Sequence, residues 1–290
     1  IMQEVCLALA PAGIAGIILY GLNAAILIAI CVATCVLSEF VWQKATKQTV
    51  TISDWSAVVT GLLLAYNLPA TAPWWIAVIG SVIAIILVKQ MFGGIGSNFM
   101  NPALTARAVL FISWSGIMGA YPMANPFQFT ADAVTGATPL ATLNGGTTEG
   151  IKLIDLLLGN HGGVLGETCA IAIILGGVYL IWRKVINWQT PVAYIGTVAL
   201  LTFLFPQGND NFQWMASQLF SGGLFLGAIF MATDYVTSPI TKLGQVIYGI
   251  GCGVLTILIR YFGGYNEGVS YAILLMNCCV VLLDRICRPT

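Results

Sequence analysis

Residues 132–140 read DAVTGATPL, in which Asp132, Thr135, Gly136, Ala137 and Thr138 fit the pattern Asp-x-x-Ser/Thr-Gly-Ala-Thr. Thr138 offers a nucleophilic hydroxyl, the small pair Gly136–Ala137 leaves that hydroxyl open to a modifying enzyme, and Asp132 supplies a carboxylate that a metal-dependent transferase can use. From average residue usage, the last four residues of the pattern arise by chance in roughly one chain in a hundred of this length. The plainer alternative is a capped turn in which Thr135 or Asp132 bonds backbone N–H groups. Two other polar stretches carry side chains suited to binding. FGGIGSNFMNPALTAR (92–107) brings Gly93, Gly94, Gly96, Asn98, Asn101 and Arg107, and ATDYVTSPITKLG (232–244) brings Asp234. Pro102 suits the first turn of a helix and Asn101 its cap. Irregular backbone at membrane depth persists only where protein, ligand or water satisfies it. The two stretches are therefore expected to line one site, the alternative being ordinary loops with capped helix starts.

The elements that must position these residues are membrane helices. Of 290 residues, 58% are hydrophobic and 8% charged, against roughly 25% charged in soluble domains. Continuously apolar runs of about 20 residues, each able to cross a bilayer core, favour helices over the alternating strands of a barrel. Ten spans are expected, near 3–19, 22–41, 54–68, 74–91, 100–119, 163–182, 190–206, 214–233, 243–262 and 269–284. With even-numbered spans running inward, Lys44, Lys47, Lys89, Arg107, Arg183, Lys184, Lys242, Arg285 and Arg288 face the cytoplasm, and Lys152 and Arg260 lie outside. This positive-inside bias places the loop 120–162, with Thr138, on the extracytoplasmic side. No basic stretch precedes the first apolar run, so a cleavable leader is not expected. The formal net charge of zero gives no sign of nucleic-acid binding.

The loop divides the chain into 1–119, 120–162 and 163–290, with five spans on either side. An odd number of spans per half makes two homologous halves inverted repeats. Residues 60–72 laid on 222–234 match at Gly61/Gly223, Leu62/Leu224, Leu64/Leu226, Ala70/Ala232 and Thr71/Thr233.

The run of GGIGSNFMNPALTARAVL, TGATPLA and MATDYVTSPITKLGQVIYGIGCG, in that order on ten spans, resembles the D-type membrane subunit of Rnf complexes. It is also similar to the homologous B-type subunit of sodium-translocating NADH:quinone oxidoreductases. The absence of a long N-terminal extension before the first span points to the Rnf side. The resemblance implies an all-α integral membrane fold of two inverted five-helix repeats, akin to urea transporters. It implies FMN joined through its phosphate to Thr138 by an extracytoplasmic flavin transferase that reads the Asp132–Thr138 motif. It also implies a non-covalent riboflavin near SNFMNPALTAR, where Asn98 and Asn101 offer donors and acceptors, Gly93 and Gly94 allow close backbone approach to a flat ring, and Arg107 and Asp234 are further flavin or cation contacts. The implied activity is electron transfer between the two flavins within an ion-translocating ferredoxin:NAD⁺ oxidoreductase of the bacterial cytoplasmic membrane. The implied partners are the other membrane and peripheral subunits. The competing reading is a channel or transporter for a small neutral solute.

Other residues read more plainly. The eight cysteines contain no C-x-x-C pair, and Cys31 with Cys35 supplies two ligands, too few for an iron–sulfur cluster, so packing is expected. His161, the single histidine, is expected to be an ordinary loop residue. Span centres hold no carboxylates, and Glu39, Asp54, Glu167 and Asp234 near span ends are expected to be solvated or to cap helices. Tryptophans at span ends, Trp214 among them, are expected to anchor at the bilayer interface.

Overall fold

A computed structural model describes residues 1–124, 136, 138–144, 152–167, 169–208, 210–263 and 267–287. The described residues are helical throughout. The first half contains α1 (Met2–Tyr20), α2 (Leu22–Ala45), α3 (Ser56–Tyr66), α4 (Trp74–Val82), α5 (Pro102–Ser113) and the short α6 (Ser115–Met118). α4 runs on as a π-helix over Ile83–Gln90. The connecting segment carries α7 (Pro139–Asn144) and α8 (Leu153–Leu158). The second half contains α9 (Ala170–Trp182), α10 (Gln189–Leu204), α11 (Asn211–Phe220), α12 (Leu224–Leu226), α13 (Lys242–Phe262) and α14 (Val269–Ile286). α12 continues as a π-helix over Gly227–Met231, and the chain bends by 62° between α11 and this unit.

A helix coincides with every apolar run. Four of them, α1, α2, α13 and α14, are long and apolar enough to cross a bilayer, and the bent α11–α12 unit makes five if taken as one span. The other apolar helices are shorter. The packing follows the same scheme in both halves: α2 lies against α3 and α4, and α10 lies against α11 and α13. Between the halves, α1 packs on α9 and α5 on α14. The α1–α9 approach is close enough that a Cβ at Gly176 would stand 2.2 Å from the Ala8 carbonyl oxygen.

The outside of this bundle is apolar. Leu7, Ile14, Leu37, Val41, Leu200, Leu204, Leu275 and Val281 are exposed along four of the longer helices. A water-facing surface rarely presents so continuous an apolar face, and a lipid-facing one does. The interior, in contrast, holds charge. Glu39 is 1% exposed and Lys89 3%. Lys89 Nζ donates to both oxygens of Glu39 at 2.9 Å and to Ser56 Oγ at 2.6 Å, while Gln90 Nε2 donates to Glu39 Oε1 at 2.7 Å. Arg107, Glu167 and Arg260 are likewise buried.

These positions correct the expectation that Glu39 and Glu167 are solvated or capping: helix periodicity does not reveal that a charge near a helix end turns inward to a partner. Asp54, one position ahead of the α3 cap residue Trp55, accepts the backbone N–H of Ser56 at 2.8 Å and its hydroxyl at 2.6 Å. Because Lys89, Arg107 and Arg260 are buried, they carry no orientation signal. Among the described residues, Lys44, Lys47, Arg183, Lys184, Lys242 and Arg285 remain as exposed cations on the side assigned inward, against Lys152. Trp214 is fully buried and donates its indole N–H to Tyr261 Oη at 2.8 Å, so it is a core residue and not an interfacial anchor. Cys31, Cys35, Cys252 and Cys287 are buried.

Removing one member of a buried ion pair leaves an uncompensated charge, at a cost of about 3–5 kcal/mol, whereas replacing both members with apolar or neutral groups is far milder. Lys89→Met is therefore expected to destabilise the detergent-solubilised chain by about that amount, and Glu39→Gln/Lys89→Met to recover most of it, as read by denaturant unfolding. Leu143→Ala, which empties the contact of α7 with the core at Trp214, is expected to cost about 2–5 kcal/mol and to speed proteolysis near α7.

Candidate functional site

Thr138 stands at the start of α7, directly before Pro139, and its Oγ1 accepts the Ala141 N–H at 3.3 Å. This is a helix cap followed by a proline in the first turn, a sequence-encoded start. Leu140 and Leu143 hold α7 down: both are buried and cluster with Trp214. Gly136 lies beneath Met123, whose Sδ would be 2.7 Å from a Cβ there, and donates its N–H to the Tyr121 carbonyl at 3.1 Å. A larger residue at 136 would have to displace the half-exposed Met123 side chain. Asp132, Thr135 and Ala137 lie outside the described residues.

Thr138 shares a small cavity, about 20 Å³, with Tyr121, His161, Glu167, Gly222 and Glu267. Arg107 stands behind the carboxylates. Its Nη1 donates to Asn67 Oδ1 at 2.8 Å and Ser270 Oγ at 3.0 Å, and its Nη2 pairs with Glu167 at 3.5 Å and with Glu267. Arg107 thus serves the Thr138 end and not the second site expected near 92–107. The helical register explains it, since six residues from Asn101 to Arg107 carry the side chain about 9 Å along α5. His161 is 8% exposed, its Nδ1 meets no partner among the described residues, and burial lowers its pKa to about 4. It is a buried neutral imidazole, not an ordinary loop residue. Glu267, which no sequence motif singles out, stands two residues ahead of α14. Its only local signal is an acid among glycines in GGYNEGVS.

A second cavity, about 80 Å³, is lined by both interrupted stretches. Asn98, Asn101 and Asp234 meet there with Ser56 and Lys89, among apolar walls that include Leu63, Leu180 and Phe230. The local folding is legible. Asn101 caps α5, its Oδ1 accepting from Ala103 N at 3.1 Å and Leu104 N at 3.2 Å, and its Nδ2 donates to the Met231 carbonyl at 3.4 Å. That amide therefore ties the two interrupted stretches together. Asn98 Nδ2 donates to the Met100 carbonyl at 3.1 Å. Asp234 Oδ2 accepts from Thr237 Oγ1 at 3.3 Å. Gly93, Gly94 and Gly96 have φ of 113°, 89° and 91° and shape the turn that delivers Asn98. They do not line the cavity.

The two cavities lie at opposite ends of α1. Met2 lines the larger one, and the Tyr20 hydroxyl donates to the carbonyls of His161 and Gly163, which line the smaller. Eighteen residues of helical rise separate these contacts by about 27 Å, close to the thickness of a bilayer core. Both cavities fit the groups that the sequence resemblance implies. The larger has the mixed apolar and polar lining of a small-molecule site, and the smaller displays the hydroxyl needed for covalent attachment.

Comparison with known proteins bears on the whole chain. Residues 1–290 match the family described as "NQR2, RnfD, RnfE family". The chain is 50% identical to the D-type subunit of the Na⁺-translocating ferredoxin:NAD⁺ oxidoreductase complex of Acetobacterium woodii, over 98% of this chain and 87% of that protein. It is 43% identical to the D-type subunit of the proton-translocating ferredoxin:NAD⁺ oxidoreductase complex of Clostridium ljungdahlii, over 100% and 90%. It is 40% identical to the D-type subunit of the ion-translocating oxidoreductase complex of Stutzerimonas stutzeri, over 100% and 90%. With its whole length matched and its helices arranged around two interior sites, this chain belongs to the NQR2, RnfD, RnfE family.

Proposed function

We propose that this chain is the membrane electron-transfer subunit of an Rnf-type ferredoxin:NAD⁺ oxidoreductase complex in the bacterial cytoplasmic membrane. It carries FMN as a phosphoester on Thr138 and holds a second, non-covalent flavin of the riboflavin type in the cavity of Asn98 and Asp234. The observation that carries this reading is the pair of cavities at opposite ends of α1, one displaying the Thr138 hydroxyl and the other joining the two interrupted stretches. The flavins supply the electron-accepting chemistry. The chain's own residues bind and insulate: Leu63, Leu180 and Phe230 exclude water from the larger cavity, Asn98 and Asp234 orient the ring edge, and Lys89 adds a cation already balanced by Glu39.

The exposed cations support an orientation with the Thr138 end outside, where a flavin transferase reaches the Asp132–Thr138 motif. The matching helix contacts within each half, and the α1–α9 and α5–α14 contacts between halves, support two inverted five-helix repeats. The relatives named above are subunits of complexes, which supports partner subunits for this chain and disfavours a self-sufficient solute channel. Transport of Na⁺ or H⁺ would be coupled to electron flow through the complex, because moving one charge against 100 mV costs about 2.3 kcal/mol.

Thr138→Val is expected to abolish flavin fluorescence of this subunit on a denaturing gel while leaving it in the complex, since the side chain makes one capping bond. A fluorescent band that survives the substitution moves the attachment elsewhere. Asn98→Leu is expected to lower the flavin released on denaturation and to leave the covalent band intact. Unchanged release would remove the second flavin from this cavity.

A further inference from the structure

Two buried acids share the cavity of Thr138, and one guanidinium, that of Arg107, is paired with both. Glu167 and Glu267 approach the same point. A Cβ on Gly223 would stand 2.7 Å from Glu167 Oε1 and 3.1 Å from Glu267 Oε1, so the two carboxyl groups flank one glycine. Two carboxyl groups crowded onto one site favour the uptake of a proton by one of them. Glu267 also accepts the Gly223 N–H at 2.9 Å and pairs with Arg107, which in turn reaches Glu167 at 3.5 Å.

The other cation nearby is committed elsewhere. Arg260 donates to the Gln218 carbonyl at 2.6 Å, to Gln218 Oε1 at 3.1 Å and to the Ser221 carbonyl at 3.2 Å. It contributes to the local field without an ion pair to either acid. Tyr121 lines the cavity, with Tyr271 of α14 and Tyr194 of α10 as the further titratable groups within electrostatic reach. Independently of the acids, His161 brings to the same cavity a buried imidazole whose Nδ1 has no partner among the described residues. An open ring nitrogen lining the same cavity as a carboxyl pair supplies a group able to exchange protons there.

We propose that Glu167 and Glu267, with His161 as the exchanging base, form a proton-loading site for the flavin on Thr138. When one electron reaches that flavin from a one-electron donor, one proton enters from solvent through His161 and converts the ionised carboxylate of the pair to the acid. When the electron leaves, the proton returns. No covalent bond between heavy atoms changes, and the proton balances the added negative charge in a water-poor setting where an uncompensated charge is costly. The proposal rests on FMN attachment at Thr138.

The test is redox-difference infrared spectroscopy of the purified intact complex, reduced with a reduced viologen, in H₂O and in D₂O. Reduction is expected to produce a carboxylic-acid carbonyl band that shifts in D₂O, vanishes in Glu167→Gln or Glu267→Gln, and is absent in Thr138→Val, where the remaining flavins of the complex still reduce. Should neither glutamine variant assemble, the wild-type spectrum against Thr138→Val decides the matter. A wild-type complex with a fluorescent subunit band but no such carbonyl band overturns the proton-loading site alone. A non-fluorescent subunit overturns the attachment reading beneath it. A flavin midpoint potential that follows sodium concentration with no carboxyl band would make this a metal-cation site and also overturn the proposal.

Discussion

The guanidinium of Arg107 is the constraint around which the rest is arranged. It is 5% exposed in a protein whose outer face is apolar, so it must be met by acceptors from within. Those acceptors come from Asn67 just beyond α3, Ser270 in α14, Glu167 ahead of α9 and Glu267 ahead of α14. One cation therefore joins both halves of the chain and fixes where α5 and α14 meet. The same demand explains why Glu167 and Glu267 stand where they do, close to the surface bearing Thr138 but turned away from lipid.

The architecture distributes polarity in the reverse of a soluble domain. Large aliphatic side chains face outward, and ion pairs occupy the interior. Glycine and alanine contacts such as Gly176 on Ala8 allow the helices to approach closely enough that these interior groups find partners. The broken helices lie where the interior opens. One break, before α5, is stabilised by the Asn101 cap, and the other, after Met231, receives the Asn101 amide on its carbonyl. Two interruptions that are distant in sequence thus satisfy each other's backbone.

Much of this was legible in the residue order. Long apolar runs gave the helices, and Asn101–Pro102 gave the start of α5 almost to the residue. The gathering of 92–107 with 232–244 also followed from their shared polarity. The buried charges did not follow, because Glu39, Glu167 and Arg107 stand near helix ends, where a one-dimensional pattern is the same for a solvated charge and for one rotated inward. Trp214 misled for a related reason, since a tryptophan at a helix end suits an interface until a tertiary contact such as Leu143 covers it. Glu267 was invisible because its role depends on Arg107, 160 positions away.

The π-helical stretch after α4 bears on how such an interior arises. Consecutive residues on an ordinary helix point about 100° apart, yet Lys89 and Gln90 both reach one carboxylate, that of Glu39. The wider winding over Ile83–Gln90 accommodates both. Such windings are rare and recur at functional sites. The wider coil thus turns two successive polar side chains onto one interior carboxylate, on a segment whose remaining residues are apolar.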